Sequence, residues 1–171
     1  MKFPPPPHPS PSKPVFTPPP GACDAHVHVF GPSETFPYHP KTTYTPVDAP
    51  KDKLRALHGL LGFDRSVIVQ ATCHGTDNSA TLDAIASSNG RWRGVAIVDE
   101  EYTDKDFEAL HDGGIRGIRF SFARHLSGPP NFDRVHRIAE KIEGLGWHLV
   151  IYIEAEDIVE FNADLRRFKL P

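Results

Sequence analysis

Sulfur is scarce in this 171-residue chain, which has two cysteines and one methionine. Cys23 and Cys73 cannot build a disulfide framework. Long apolar runs are missing too. None approaches the roughly 18 residues of a membrane span, and residues 1–20 lack the apolar core of a secretory signal. Charge of one sign is not in excess: 19 Lys and Arg stand against 22 Asp and Glu, a net of −3. That balance gives no electrostatic footprint for nucleic acid or an anionic membrane. The glycine-rich turn of a dinucleotide fold is absent as well, since "HVHVFGPSETF" follows the first strand pattern without it. A cytoplasmic protein is the expectation that remains.

Proline and histidine are what the chain has in quantity. Ten of the eighteen prolines fall in residues 1–20, "MKFPPPPHPSPSKPVFTPPP". Proline fixes φ and removes a backbone donor, so this segment reads as a polyproline II or disordered arm. A surface-draped leader is preferred over a ligand for an SH3-type domain. The folded body is placed at 21–171. It is long enough for one core and short of the roughly 250 residues of a full TIM barrel.

Within the body, strand and helix patterns alternate five times. Strands are expected near 22–30, 65–72, 91–99, 114–122 and 146–155. Helices are expected near 51–61, 79–87, 104–111, 132–143 and 157–168. Several strands are apolar on both faces, as parallel strands covered by helices are. Serial β–α units make an α/β fold with right-handed crossovers. Unusual polar residues sit at the C-terminal ends of nearly every strand, where barrel enzymes build their sites. The fold expected is therefore an incomplete TIM-type (β/α)8 barrel, about its first five β–α units. Its unpaired strand edges and interior residues such as Val67, Val69 and Ile151 are candidates for self-association.

Strand alternation puts Asp24, His26 and His28 of "CDAHVHVFG" on one face and Cys23, Ala25, Val27 and Val29 on the other. A same-face histidine pair can grip one metal ion or one polarised carbonyl. In "QATCHGTDN" (70–78), Thr72 continues the strand direction toward a ligand. His74 and Thr76 stand at the same end, and Asp77 and Asn78 are read as caps of the next helix. Arg119 in "GIRGIRFSFARH" is an inward arginine at a barrel mouth, suited to a carboxylate or phosphate, with Ser121, Arg124 and His125 beyond it. Tyr152 is either a core tyrosine or a ligand donor. Tyr44, in "TTYTP", is read either as a lid contact folded over the mouth or as an ordinary loop tyrosine.

The stretches "TPPPGACDAHVHVFGP", "YHPKTTYTPVDAP", "VIVQATCHGTDNSATLDAIA", "RGVAIVD", "GGIRGIRFSF" and "GWHLVIYIEA" resemble the 2-pyrone-4,6-dicarboxylate hydrolase branch of the amidohydrolase superfamily. The resemblance implies a lactonase of aromatic-compound catabolism. In it, His26 and His28 polarise the lactone carbonyl while Tyr44, Thr72, Arg119 and Tyr152 hold the substrate carboxylates. A serine is usual where Thr72 stands. A further arginine of the family falls on Arg124 or His125. The branch is metal-independent, so no cofactor is expected, with zinc on His26 and His28 as the alternative. A sixth-strand histidine and the eighth-strand aspartate that activates water would lie beyond Pro171. Residues 1–171 alone are thus expected to bind without useful hydrolysis. A metal-dependent amidohydrolase or decarboxylase and a non-catalytic half-barrel module are the other readings.

Overall fold

A computed structural model describes residues 4–123 and 130–171. Five parallel strands, β1 (Cys23–Val27), β2 (Arg65–Val69), β3 (Trp92–Ala96), β4 (Ile115–Ser121) and β5 (His148–Tyr152), pair in sequence order. Between them lie α1 (Lys51–Leu61), α2 (Ser79–Ala86), α3 (Asp104–Asp112) and α4 (Phe132–Ile142). When every crossover is right-handed and the strand order never reverses, all helices fall on one side of the sheet. The core shows this. Leu54, Ala84, Phe107, Leu110, Val135, Ile138 and Ile142 from the helices pack in one cluster with Ile68, Ala96, Ile118 and Phe120 from the strands. The result is a half-barrel, the incomplete TIM-type fold, with an open concave face.

Local sequence explains the elements. Val135, Ile138, Ala139 and Ile142 are buried at the i, i+3, i+4, i+7 spacing that turns one stripe of α4 to the sheet. The N-terminus of α3 is closed by Asp106, whose carboxylate accepts from the Thr103 N–H at 2.7 Å. Helix α1 ends at Gly62, which takes the left-handed φ of 85°. The stretch expected as one helix over 157–168 is instead two short ones, α5 (Asp157–Glu160) and α6 (Asn162–Leu165). Beyond them the chain turns back along β5, where the Leu149 N–H donates to the Pro171 carbonyl at 2.9 Å.

Residues 4–20 contain no helix or strand and are mostly exposed. The arm meets the body where the Gly21 N–H donates to Asp64 at 2.6 Å and the Arg65 Nε donates to the Gly21 carbonyl at 2.7 Å.

Two assignments of face are corrected. β1 carries a bulge between Asp24 and Val27, three residues spanning two of β2. A bulge flips strand parity, and Asp24 turns to the helix side, its Oδ2 3.0 Å from Nε2 of buried His58 on α1. Asp24 does not share a face with His26 and His28. On the other edge of the sheet, Ile151 pairs with Phe120 and packs in the helix-side cluster. The concave residues of β5 are its neighbours Val150 and Tyr152, which pair with Arg119 and Ser121. Cys23 and Ala25 are exposed on β1, the edge strand.

Candidate active site

The concave mouth is assembled from the C-terminal ends of β1, β2, β4 and β5. After the bulge, Val27 and Val29 join the core, so His26 and His28 face the open side. Their rings meet edge-on with centroids 5.3 Å apart. The His28 Nδ1–H donates to the Val69 carbonyl at 2.7 Å, which fixes the tautomer and leaves Nε2 facing the mouth. His26 is exposed.

Arg119 comes from β4, on the strand face opposite Ile118 and Phe120. It is 8% exposed, an unusual burial for a guanidinium. Its Nη1 donates to the Gln70 carbonyl at 3.2 Å, and its guanidinium carbon stands 5.8 Å from the centre of the Tyr152 ring. Buried Nε has no partner among the described residues, and neither has the buried Oγ of Ser121, two positions along the same face. Room for the arginine begins at Gly117, where a Cβ would lie 2.8 Å from both the ring and the carbonyl oxygen of His148.

Across the mouth, the Tyr44 hydroxyl sits 3.1 Å from the Thr72 hydroxyl. Thr72 opens a single 3-10 turn, Thr72–His74, that directly follows β2. Although His26 is exposed, partial desolvation on its mouth side holds it below the ordinary histidine range, with the Arg119 charge adding to it. Burial does the same for His28, again with Arg119 opposing the protonated form. Burial raises the Tyr44 phenol. The free mouth therefore holds two neutral imidazoles, one desolvated cation and a pair of neutral hydroxyls.

A model of the amidohydrolase family matches residues 23–171. The chain belongs to that family. It is 52% identical over 151 residues to a 2-pyrone-4,6-dicarboxylate hydrolase of Comamonas testosteroni, covering 88% of this chain and 50% of that protein. It is 38% identical to a 4-sulfomuconolactone hydrolase of Rhizobium radiobacter, again covering 88% and 50%. The solved structure of a probable 2-pyrone-4,6-dicarboxylic acid hydrolase from Acinetobacter baumannii superposes with a TM-score of 0.77 at 24% identity. That match covers 88% of this chain and 56% of the other. The chain thus spans about half the length of the curated relatives it matches.

In this amidohydrolase chain, His26, His28, Tyr44, Thr72, Arg119 and Tyr152 are brought to one mouth, while Arg124 and His125 lie outside the described residues. His74, placed by the sequence at the ligand end of β2, is taken up by the fold itself, and Asp77 is the helix cap it was read as. His74 is buried with both ring nitrogens occupied by the β1–α1 loop. The Asp77 carboxylate accepts from the Ser79 N–H at 3.0 Å, as a cap does. Asn78, also read as a cap, instead bridges to β3's end by accepting from the Ile97 N–H and donating to its carbonyl. Sequence reasoning did not assign a role to Gln70, whose carbonyl seats Arg119. Its side chain is buried and bonded to Thr81, Gly75 and Asp77. The signal was a glutamine directly after the apolar run Val67–Val69.

A divalent metal fits this donor set poorly. Among the described residues no three His, Cys, Asp or Glu side chains converge. Asp24 is turned away, and the two imidazoles share the mouth with a buried guanidinium that a dication would repel.

Proposed function

We propose that this mouth binds a doubly anionic lactone of the 2-pyrone-4,6-dicarboxylate type and polarises its ring carbonyl for hydrolytic opening. One observation carries the reading: a desolvated Arg119 faces a neutral histidine pair, with the Tyr44 and Thr72 hydroxyls completing the mouth. Arginine's planar fork matches a carboxylate, and burial strengthens the pair. The tyrosine and threonine hydroxyls donate to the second carboxylate. The lactone carbonyl is then placed against the imidazoles. Once a proton sits on the His28 Nε2, that atom donates to the carbonyl oxygen and stabilises the negative charge that develops as water attacks. Hydrolysis also needs a group that takes the proton from that water. No carboxylate among the described residues is hydrogen-bonded to either imidazole ring or to the guanidinium, so these residues supply binding and polarisation.

The similarity to two hydrolases named for anionic lactones supports the substrate class. A metal-dependent reading draws on one feature, the free Nε2 of His28, an arrangement that metal-ligating histidines share. The donor chemistry described above favours the metal-free reading.

Calorimetric titration of the chain with 2-pyrone-4,6-dicarboxylate and with 2-pyrone-6-carboxylate tests the proposal. A charge-assisted pair to carboxylate contributes enough that the dianion should bind roughly tenfold or more tighter than the monoanion. Arg119→Lys should lose most of that preference, because an ammonium cannot reproduce the fork. Equal affinity for both pyrones in the unaltered chain would sink the assignment. A requirement for added zinc would transfer it to the metal-dependent reading.

A further inference from the structure

The connection between β1 and α1 is long, and it is strapped down rather than left loose. Its base is closed by an antiparallel bridge in which the Phe30 N–H donates to the Ala49 carbonyl at 3.0 Å and the Ala49 N–H returns to Phe30 at 2.8 Å. Near one end, Asp48 gathers three donors: the Ser33 N–H at 2.9 Å, the Ser33 hydroxyl at 3.2 Å and the Tyr38 hydroxyl at 2.7 Å. In the middle, the loop is fastened to the 3-10 turn that follows β2. The His39 N–H donates to the Cys73 carbonyl at 2.7 Å. The His39 ring lies against Gly75, where a Cβ would come within 3.0 Å of it and where φ is +60°.

His74 is the centre of this fastening. It is 2% exposed. Its Nδ1–H donates to the Pro37 carbonyl at 3.4 Å, its Nε2 accepts from the Gly31 N–H at 3.3 Å, and its ring packs 4.9 Å from that of Tyr38. This arrangement needs the neutral ring, since a proton on Nε2 would face the Gly31 N–H. Burial favours that neutral form, against the nearby carboxylates of Asp77 and Asp48. Both nitrogens are used, so His74 has nothing to offer a substrate. Yet it sits in the same three-residue turn as Thr72, and the loop it holds delivers Tyr44 onto the Thr72 hydroxyl.

We propose that His74 is a positioning residue: it clips the 31–50 strap to the 72–74 turn and thereby sets the Tyr44 and Thr72 hydroxyls where a substrate carboxylate arrives. The ligand half of this statement rests on the function proposed above. The clip itself does not. A hydroxyl held in place before binding loses less entropy on binding than one that must be ordered by the ligand. Because the strap covers the turn, it also buries Cys73, whose thiol is 0% exposed and pushed up to about 11 by that burial.

Cys73 is therefore a reporter of strap opening that requires no ligand. In a Cys23→Ser background, which removes the exposed thiol, labelling by Ellman's reagent is measured beside the calorimetric affinity for 2-pyrone-4,6-dicarboxylate. His74→Ala should speed Cys73 labelling by about tenfold or more and weaken the dicarboxylate by a similar factor. Glutamine can donate to Pro37 and accept from Gly31, so His74→Gln should restore both readings most of the way. Asp48→Ala, which frees the strap from its far end without touching the turn, should speed labelling in the same direction if His74→Ala fails to fold. Unchanged labelling in the folded variants overturns the clip. Faster labelling with an unchanged dicarboxylate affinity overturns the positioning role. An unaltered chain that binds no dicarboxylate refutes the function instead, and labelling alone then judges the clip.

Discussion

His28 shows how one hydrogen bond decides what a residue can do. With Nδ1–H committed to the Val69 carbonyl, its other nitrogen accepts when neutral and donates only when protonated. Burial and the Arg119 charge keep the free ring neutral. Two incoming carboxylates reverse that balance, because an adjacent anion stabilises imidazolium. Binding of 2-pyrone-4,6-dicarboxylate should therefore take up protons near pH 7, and affinity should rise as pH falls from 8 toward 6. Titrations in buffers of different ionisation enthalpy measure this directly. Binding that leaves the proton count unchanged would place the lactone carbonyl away from the imidazole pair. In the free protein the sign for stability is opposite: both histidines have lowered affinities, so their neutral burial favours folding above about pH 6.5 and is lost as pH falls through the folded values.

Elements turn such residues into a site by parity, and parity is also where reading the sequence succeeded and failed. The five strands and the first four helices lie where periodicity places them, within a few residues. Arg119 faces the concave side, as alternation along "GIRGIRF" requires. What alternation could not give was the bulge in β1, which sends Asp24 to His58; nothing in "CDAHVHV" marks an extra residue in an edge strand. Ile151 and Tyr152 were both read as interior, although neighbours in one strand point to opposite faces. His74 was placed at the strand end without a role because its partners, Gly31 and Pro37, are about forty residues away in sequence and contacts at that distance leave no local pattern. Gly117 had a legible polarity pattern around it but no legible reason to be glycine. In the fold the reason is the His148 ring and carbonyl laid over it. Gly117→Ala should cost about 1–3 kcal/mol, since a backbone oxygen held in the β4–β5 ladder cannot retreat as a side chain can. Urea unfolding of the two proteins measures the difference, and a loss under half a kcal/mol would mean β5 is free to shift.

For the molecule as a whole, the arrangement that gathers the site also leaves the sheet open. One face is covered by helices and the other is the concave mouth. β1 presents an outer edge on which Cys23, Ala25 and His26 are exposed. Among the described residues β5 makes one bond along its outer edge, from the Leu149 N–H to the Pro171 carbonyl. Unpaired strand groups on a parallel sheet are templates for another chain, and a closed barrel is the arrangement that removes them. Purified residues 1–171 should accordingly self-associate in a concentration-dependent way on size exclusion with light scattering. They should show little ring opening in an ultraviolet assay, because binding and carbonyl polarisation do not deprotonate water. If strand edges drive the association, a charge on the β1 edge should oppose it: Ala25→Lys should shift the profile toward monomer, lysine being a residue that blunts exposed edges. The substitution leaves Arg119, Thr72 and Tyr44 untouched, so dicarboxylate affinity serves as a control on folding. A sharp monomer peak for the unaltered chain at high concentration would show that these edges are protected in solution. An oligomer indifferent to Ala25→Lys would move the contact from the β1 edge to the β5 edge or the concave face.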